Sequence, residues 1–525
     1  MRLQALSLLS LLGTACASQA PLARPEPPPD AEYGTAHPFV AQQIAPDGRW
    51  FVACQAREDT NQDGRIEVRF DYHGGSGHGG ERRSDVLRPY LFLEPGPGLA
   101  IDELLASDPA GRYLVLIREG ALRLLDTTTG QDTVLSAGPV SPSQSPRPPL
   151  RASFSRDGSR LLYLRPTGEN ATVVVLRDMT DGDERLVDAG EGWIGQVVLD
   201  EAGHWAAFDV VTGDTDGDGK LTWPEPRTTL APALCRGPVM VSSQRGWTGD
   251  RPVRRFLHLE GAPAFEGEDI LYPVGDHLLR KRPDGAIIAQ DARGKREEWV
   301  PASCAGQVLG ADAPRRQLLV ACKAPDKDAP LPLALHGPSI HQPLGWSVLD
   351  ADAAMWRISG EGQLRSVPAV SLPTKAQANI VVDLQRRAVV PLPMAGAKWV
   401  QAVGMNVLLS EDVPRSDSAE ERRDERLWLW NVATGEKREV GMASTYARSS
   451  VGALVLYRGW LVDLGTGKVL GQVDEDDALL DSRGRVLRPA QAVPPDGGAP
   501  LGPARWAPAV KPHAPAEPTT AAPSP

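Results

Sequence analysis

The chain lacks the short signatures that most often betray an enzyme. No Gly-x-Ser-x-Gly elbow is present; the nearest stretch, Gly74-Gly-Ser-Gly-His78, carries His where the last Gly belongs. There is no His-Glu-x-x-His zinc helix and no Walker loop. Cys-x-x-Cys is absent as well, which removes zinc-ribbon and thioredoxin-type readings for the five cysteines. Lysine and arginine never gather in blocks of five or six, and the net charge is −11, so nucleic acid is excluded as the main partner. One apolar run stands out, Leu3–Leu12, and it is too short to cross a bilayer as a permanent helix.

What the chain has instead is turn chemistry. Its 52 Gly and 48 Pro suit many short strands and would break long helices. Phe154-Ser-Arg-Asp-Gly-Ser-Arg-Leu-Leu-Tyr-Leu164 places Asp157-Gly158 between two apolar runs, a hairpin signal because such a turn needs a residue tolerant of positive φ. The unit returns as Ile44-Ala-Pro-Asp-Gly-Arg-Trp-Phe-Val-Ala53, Ser107-Asp-Pro-Ala-Gly-Arg-Tyr-Leu-Val-Leu116 and Leu199-Asp-Glu-Ala-Gly-His-Trp-Ala-Ala-Phe208. A looser copy is Gly310–Ala321. Thr172–Leu176 is apolar on both faces, as a strand sandwiched between two sheets would be. Later turns at Asp126–Gly130, Ala433-Thr-Gly435 and Gly465-Thr-Gly467 continue the rhythm. Hairpins repeated at about a blade's length predict an all-β fold, a single β-propeller over residues 37–490. Seven blades are favoured and eight allowed. Each blade alone would expose two apolar faces; stacking around a circle buries them.

The turns Ser155-Arg-Asp-Gly158 and Ala45-Pro-Asp-Gly48 resemble the TolB-type propeller repeat, a Ser-Pro-Asp-Gly-like turn followed by an apolar strand. That resemblance implies a propeller and an envelope or periplasmic setting. It implies little about the ligand.

The two ends predict something other than propeller. Met1-Arg2, the Leu-rich run and Gly13-Thr14-Ala15-Cys16 read as a signal peptide over 1–15. The ending resembles a bacterial lipobox, departing from it at Gly13, where Leu is usual. The resemblance implies that Cys16 is acylated; the competing reading is an ordinary signal cleaved at Ala15 or Ala17. Each buried CH₂ of an acyl chain contributes about 0.8 kcal/mol, so several chains anchor firmly. Ala17-Ser18 lacks the Asp that the lipoprotein sorting rule associates with inner-membrane retention, which favours the outer membrane. Residues 16–36 then form a Pro-rich tether and 491–525 a disordered Pro/Ala-rich tail.

An exported protein meets an oxidising compartment. Cys304 and Cys322 flank one repeat hairpin and are expected to bridge, which would stabilise by about 3 kcal/mol in the chain-entropy model. Cys54 and Cys235 are left to pair only by elimination, with buried free thiols as the competing reading.

Two acidic loops carry the chemistry. Asp214-Thr-Asp-Gly-Asp-Gly-Lys-Leu-Thr-Trp-Pro-Glu225 matches the twelve-residue EF-hand calcium loop by position. Asp214, Asp216 and Asp218 supply carboxylates and Lys220 a carbonyl. Gly219 allows the sharp bend, Leu221 packs inward, and Glu225 can bind in bidentate fashion. A sister loop, Asp59-Thr-Asn-Gln-Asp-Gly-Arg-Ile66, would use Asp59, Asn61, Asp63 and the Arg65 carbonyl. It has Phe70 at the twelfth position, so weaker binding is expected. Pro224, Pro226 and β-rich flanks argue against EF-hand helices. The competing reading of either loop is a solvated acidic turn.

Other features read as structural. His73 and His78, and likewise His336 and His341, read as members of solvated loops, not metal sites. Thirteen Trp residues suit blade packing better than sugar stacking. The sequence therefore points to a calcium-stabilised, lipid-anchored β-propeller that binds an envelope protein or glycan without catalysis, in an outer-membrane lipoprotein. The alternative is a propeller lyase or glycosidase using acidic residues at the channel mouth.

Overall fold

A computed structural model of the chain describes residues 32–33, 39–58, 60, 87–93, 98–136, 151–167, 172–188, 192–200, 203–223, 225–226, 247–260, 265–267, 269–324, 326, 329–348, 364–371, 373–374, 376–394, 396–414, 423–444, 448–473, 479–482, 484–488 and 504–507. Among these residues there is no helix, and every regular element is a strand.

The strands build a single β-propeller with eight four-stranded blades. Blades 1 to 5 fall within residues 39–100, 103–136, 152–188, 193–266 and 270–300. Blades 6 and 7 span 398–442 and 448–472, and blade 8 uses 479–507 together with Glu32–Tyr33. Eight is the upper of the two expected counts. Between blades 5 and 6 lies a feature that counting equal repeats does not foresee, a seven-stranded sheet over residues 307–391. It arises because the long strand Ile340–Val348 pairs on both edges, with Leu331–Gly337 and, through Trp346–Val348, with Ala369–Ser371.

Within a blade the strands follow one another antiparallel. First strands lie side by side between blades 2 and 3, 3 and 4, 7 and 8, and 8 and 1, which puts them on the axis. Inner strands are buried on both faces: the second strands Trp50–Gln55 and Gln317–Ala321 are buried throughout, and so is Thr172–Leu176 in the third strand of blade 3. Apolar clusters straddle the joints. One joins Trp50, Val52 and Leu91 of blade 1 to Leu114 and Leu116 of blade 2. Another links Leu122, Leu162, Val174 and Phe208 across blades 2 to 4. Leu318 and Val320 of the large sheet meet Leu279 and Ile287 of blade 5, while Val381 meets Trp399 of blade 6. Each such side chain stabilises by about 1.5–3 kcal/mol relative to exposure, and only neighbouring blades can supply the cover. Trp50, Trp205, Trp299 and Trp430 are among the largest fully buried side chains, so packing accounts for these four.

Turns on one face hold the blades in step. In the first-to-second turns, Asp108 and Asp200 accept from the amides of Tyr113 (2.6 Å) and Trp205 (2.7 Å). In the third-to-fourth turns, Asp126, Asp178, Asp291, Asn431 and Asp463 each accept from the amide two residues on. The next blade is then gripped through its turn carbonyls: Trp50 Nε1 donates to Gly111 O (2.7 Å), Arg160 Nη1 to Gly203 O (2.6 Å) and Trp205 Nε1 to Gly275 O (3.2 Å). Gly111 has φ of 73°, and a Cβ there would come within 2.9 Å of Pro46 Cδ in blade 1. Both the turn and the close approach need glycine.

The ring closes at blade 8. Ser482 donates its amide to Pro46 O, and Arg485 Nη2 donates to Asp47 O at 3.4 Å. Glu32–Tyr33 pairs with Ala504–Ala507 as the outermost pair of that blade. Both strands fall in segments expected to lie outside the propeller, the tether 16–36 and the tail 491–525. A four-residue stretch carrying Trp506 suffices once a neighbouring strand supplies its ladder. The signal peptide, Cys16 and the Gly-rich loop with His73 and His78 lie outside the described residues.

Candidate functional site

The loop Asp214–Glu225 springs from the end of Trp205–Val211, the second strand of blade 4. No helix flanks it; Glu225–Pro226 instead forms a two-stranded ladder with Trp247–Thr248. The expected bend is present, with φ of 78° at Gly217 and 80° at Gly219. Leu221 packs inward against Trp193, Val211 and Trp223, and its carbonyl accepts from Trp193 Nε1 at 3.1 Å.

The three aspartates converge. Asp214, Asp216 and Asp218 are exposed, and each offers a carboxylate oxygen within 4.8 Å of the other two. Asp214 accepts from the amides of Gly217 (2.7 Å) and Gly219 (2.8 Å), and Asp218 from Lys220 N (2.8 Å). The Asp218 amide lowers the Asp216 pKa. Slight desolvation, the charges of Asp218 and Asp250, and a hydrogen bond with Asp214 outweigh it, so the pKa is raised overall. A hard cation would relieve that repulsion and accept these oxygens, so the donor set fits one.

A residue missed by sequence reasoning secures the loop from below. Asp250 is fully buried. Its Oδ1 accepts from the Thr215 amide and from Asp216 N (3.3 Å), and its Oδ2 accepts from Thr222 N (2.7 Å). Desolvation raises its pKa, but these amide bonds more than compensate and hold the carboxyl below its ordinary range. No local pattern announces it, because Asp250 reaches the loop only through the fold. The side chain of Glu225 is not among those described, and the sister loop's Asp59, Asn61, Asp63 and Arg65 lie outside the described residues.

The expected bridge is formed: Cys304 and Cys322 are disulfide-bonded with Cα atoms 4.6 Å apart. Cys54 is also disulfide-bonded, so it is not the free thiol that competed with pairing. The reading of His336 as solvated is corrected, whereas His341 is exposed as that reading had it. They face each other as a cross-strand pair next to the tight hairpin at 338–339, and His336 is 1% exposed. Burial, with His341 beside it, lowers the His336 pKa to about 4. Among the described residues, the Asp214–Asp218 set and Cys304, Cys322 and His336 are the groups of three or more potential metal-ligating side chains.

No family model matches the chain, and no curated protein does. Solved structures similar to it include a prolyl endopeptidase, at TM-score 0.29 and 12% identity over 77% of this chain and 54% of that one. Dipeptidyl peptidase 4 of Porphyromonas gingivalis is matched at TM-score 0.34 and 9% identity, over 78% and 58%. The β-propeller domain of the trilobed protease from Pyrococcus furiosus is matched at 0.29 and 8%, over 77% and 95%. The chain thus spans about half the length of the prolyl endopeptidase. At these scores the similarities carry no argument about activity.

Proposed function

We propose that this protein is a calcium-stabilised, lipid-anchored β-propeller acting as a non-catalytic binding or scaffold protein of the bacterial cell envelope. It sits in the outer membrane through an acylated Cys16 and presents its ring to an envelope protein or glycan. The observation that carries the calcium part is the convergence of Asp214, Asp216 and Asp218 on a loop that bends at Gly219 and rests on Asp250. The TolB-like turns at Ala45–Gly48 and Ser155–Gly158 support the envelope setting by resemblance. Calcium here is a clamp on the blade 4 insertion, in the 10⁻⁴–10⁻³ M class of extracellular modules.

Calcium added to chelator-treated protein is expected to raise Tm, and Asp216→Asn to weaken that response. An unchanged Tm at millimolar calcium overturns the metal assignment. Palmitate labelling lost in Cys16→Ser supports the anchor, and label that persists removes it. The enzyme alternative requires carboxylates at the channel mouth. Glu103, on the first strand of blade 2, is the one to watch: burial raises its pKa and Arg151 opposes the rise. Hydrolysis or cleavage of an envelope glycan that is abolished in Glu103→Gln would favour that alternative.

A further inference from the structure

A disulfide that only staples two strands has no need of an imidazole aimed at it. Cys304 stands just before the strand Gln307–Asp312, Cys322 just after Gln317–Ala321, and His336 on Leu331–Gly337. Cys322 Sγ lies 3.7 Å from His336 Nε2. One atom from each of the three residues lies within 4.8 Å of the other two. Cys304 is 4% exposed and His336 1%. Burying an imidazole so deeply is unfavourable unless its nitrogens have a use.

The other nitrogen is engaged too. His336 Nδ1 lies 3.3 Å from His341 Nδ1, with ring centroids 4.5 Å apart. When Nδ1–H of His336 donates to His341, Nε2 is left with its lone pair facing the sulfur. An outer partner that orients a histidine in this way is the usual companion of a metal ligand.

We propose that Cys304, Cys322 and His336 form a redox-gated site for a zinc-class divalent ion, with His341 as the positioning residue. The oxidised form cannot bind, because disulfide sulfurs carry no thiolate charge. A dithiol reductant opens the site: the S–S bond takes two electrons and two protons to give two thiols, and the dithiol becomes its own disulfide. The metal ion then displaces both thiol protons, binding two thiolate sulfurs and Nε2. Three protein ligands leave a fourth position open, the pattern of reactive zinc sites and not of closed structural ones.

The test uses the whole protein, reduced under native conditions and titrated with Co²⁺ as a coloured stand-in for zinc. A thiolate-to-cobalt charge-transfer band saturating at one equivalent is expected, absent from the disulfide-intact protein and displaced by zinc. Zinc should also shield both cysteines from alkylation. His336→Gln should abolish the saturable band, and His341→Gln should weaken cobalt affinity about 10- to 100-fold. The proposal falls if reduced wild type with native circular dichroism gives no band, or if the band survives undiminished in His336→Gln. It also falls if the disulfide resists reduction while the fold stays native. The wild-type readings decide the matter even where a variant fails to fold.

Discussion

On one face of the propeller the connections are short and alike: residues 45–49, 108–112 and 200–204 between first and second strands, 127–131 and 432–436 between third and fourth. On the opposite face the second-to-third connections range from Glu119-Gly120 in blade 2 to residues 56–87 in blade 1 and 212–252 in blade 4. The short turns are capped by Asp or Asn and reach across to the next blade, so a change in length there would break the joint. Among the described residues the other face carries no such repeated grip, and length is tolerated. Both acidic loops fall within these long second-to-third connections. Structure is concentrated where repetition is strict, and the proposed calcium chemistry where it is relaxed.

The largest way to break that contrast is at the joint between blades 1 and 2. Trp50→Ala removes a fully buried ring and its bond to Gly111 O. A loss of about 3–5 kcal/mol is expected in denaturant unfolding. Gly111→Val should cost about 1–3 kcal/mol, through strain at positive φ and the clash with Pro46. Equal tolerance of Val at Gly111 and at Gly217, which has open space around it, would erase the distinction between the faces.

On the loop face, Asp250→Ala leaves the amides of Thr215, Asp216 and Thr222 without their acceptor. About 1–3 kcal/mol is expected, and the calcium response of Tm should go with it. If Asp250→Ala melts like wild type in chelator and still responds to calcium, the buried carboxylate does not organise the loop.

The smallest effect is one of pH. The His336 pKa is lower in the fold than in the unfolded chain, so the unfolded state binds more protons between the two values. Its contribution is complete above pH about 6.5 and is lost as pH falls toward about 4. Tm should decline over that window, less steeply in His336→Gln. Identical slopes in the two proteins would mean that the buried His336 is not what titrates.

What was legible in the chain was local. Asp157-Gly158 and Asp47-Gly48 announce their hairpins because the turn dictates the residue. Asp126–Gly130, Ala433–Gly435 and Gly465–Gly467 were visible as turns, but their shared Asx cap at Asp126, Asn431 and Asp463 emerges only when the blades are superposed by pairing. The aspartates at 214, 216 and 218 were legible because five residues of backbone bring them together. Asp250 was not, since it meets them through the strand that follows. The seven-stranded sheet was hidden for a similar reason: Trp346–Val348 finds Ala369–Ser371 across a long connection, and nothing in either segment specifies the other. The burial of His336 was hidden because Gly337-Pro-Ser suggests a loose loop, whereas the strands on either side close into a tight hairpin that buries His336 and leaves His341 exposed.

The closure of blade 8 on blade 1 bears on how the ring is completed. Early blades can stack on one another, yet they form an open arc with a bare edge at each tip until Leu479–Leu480, Ser482 and Arg485 reach blade 1. A truncation ahead of residue 479 would leave a sticky crescent, whereas one at residue 503 removes only the partner of Glu32–Tyr33 at the outer edge.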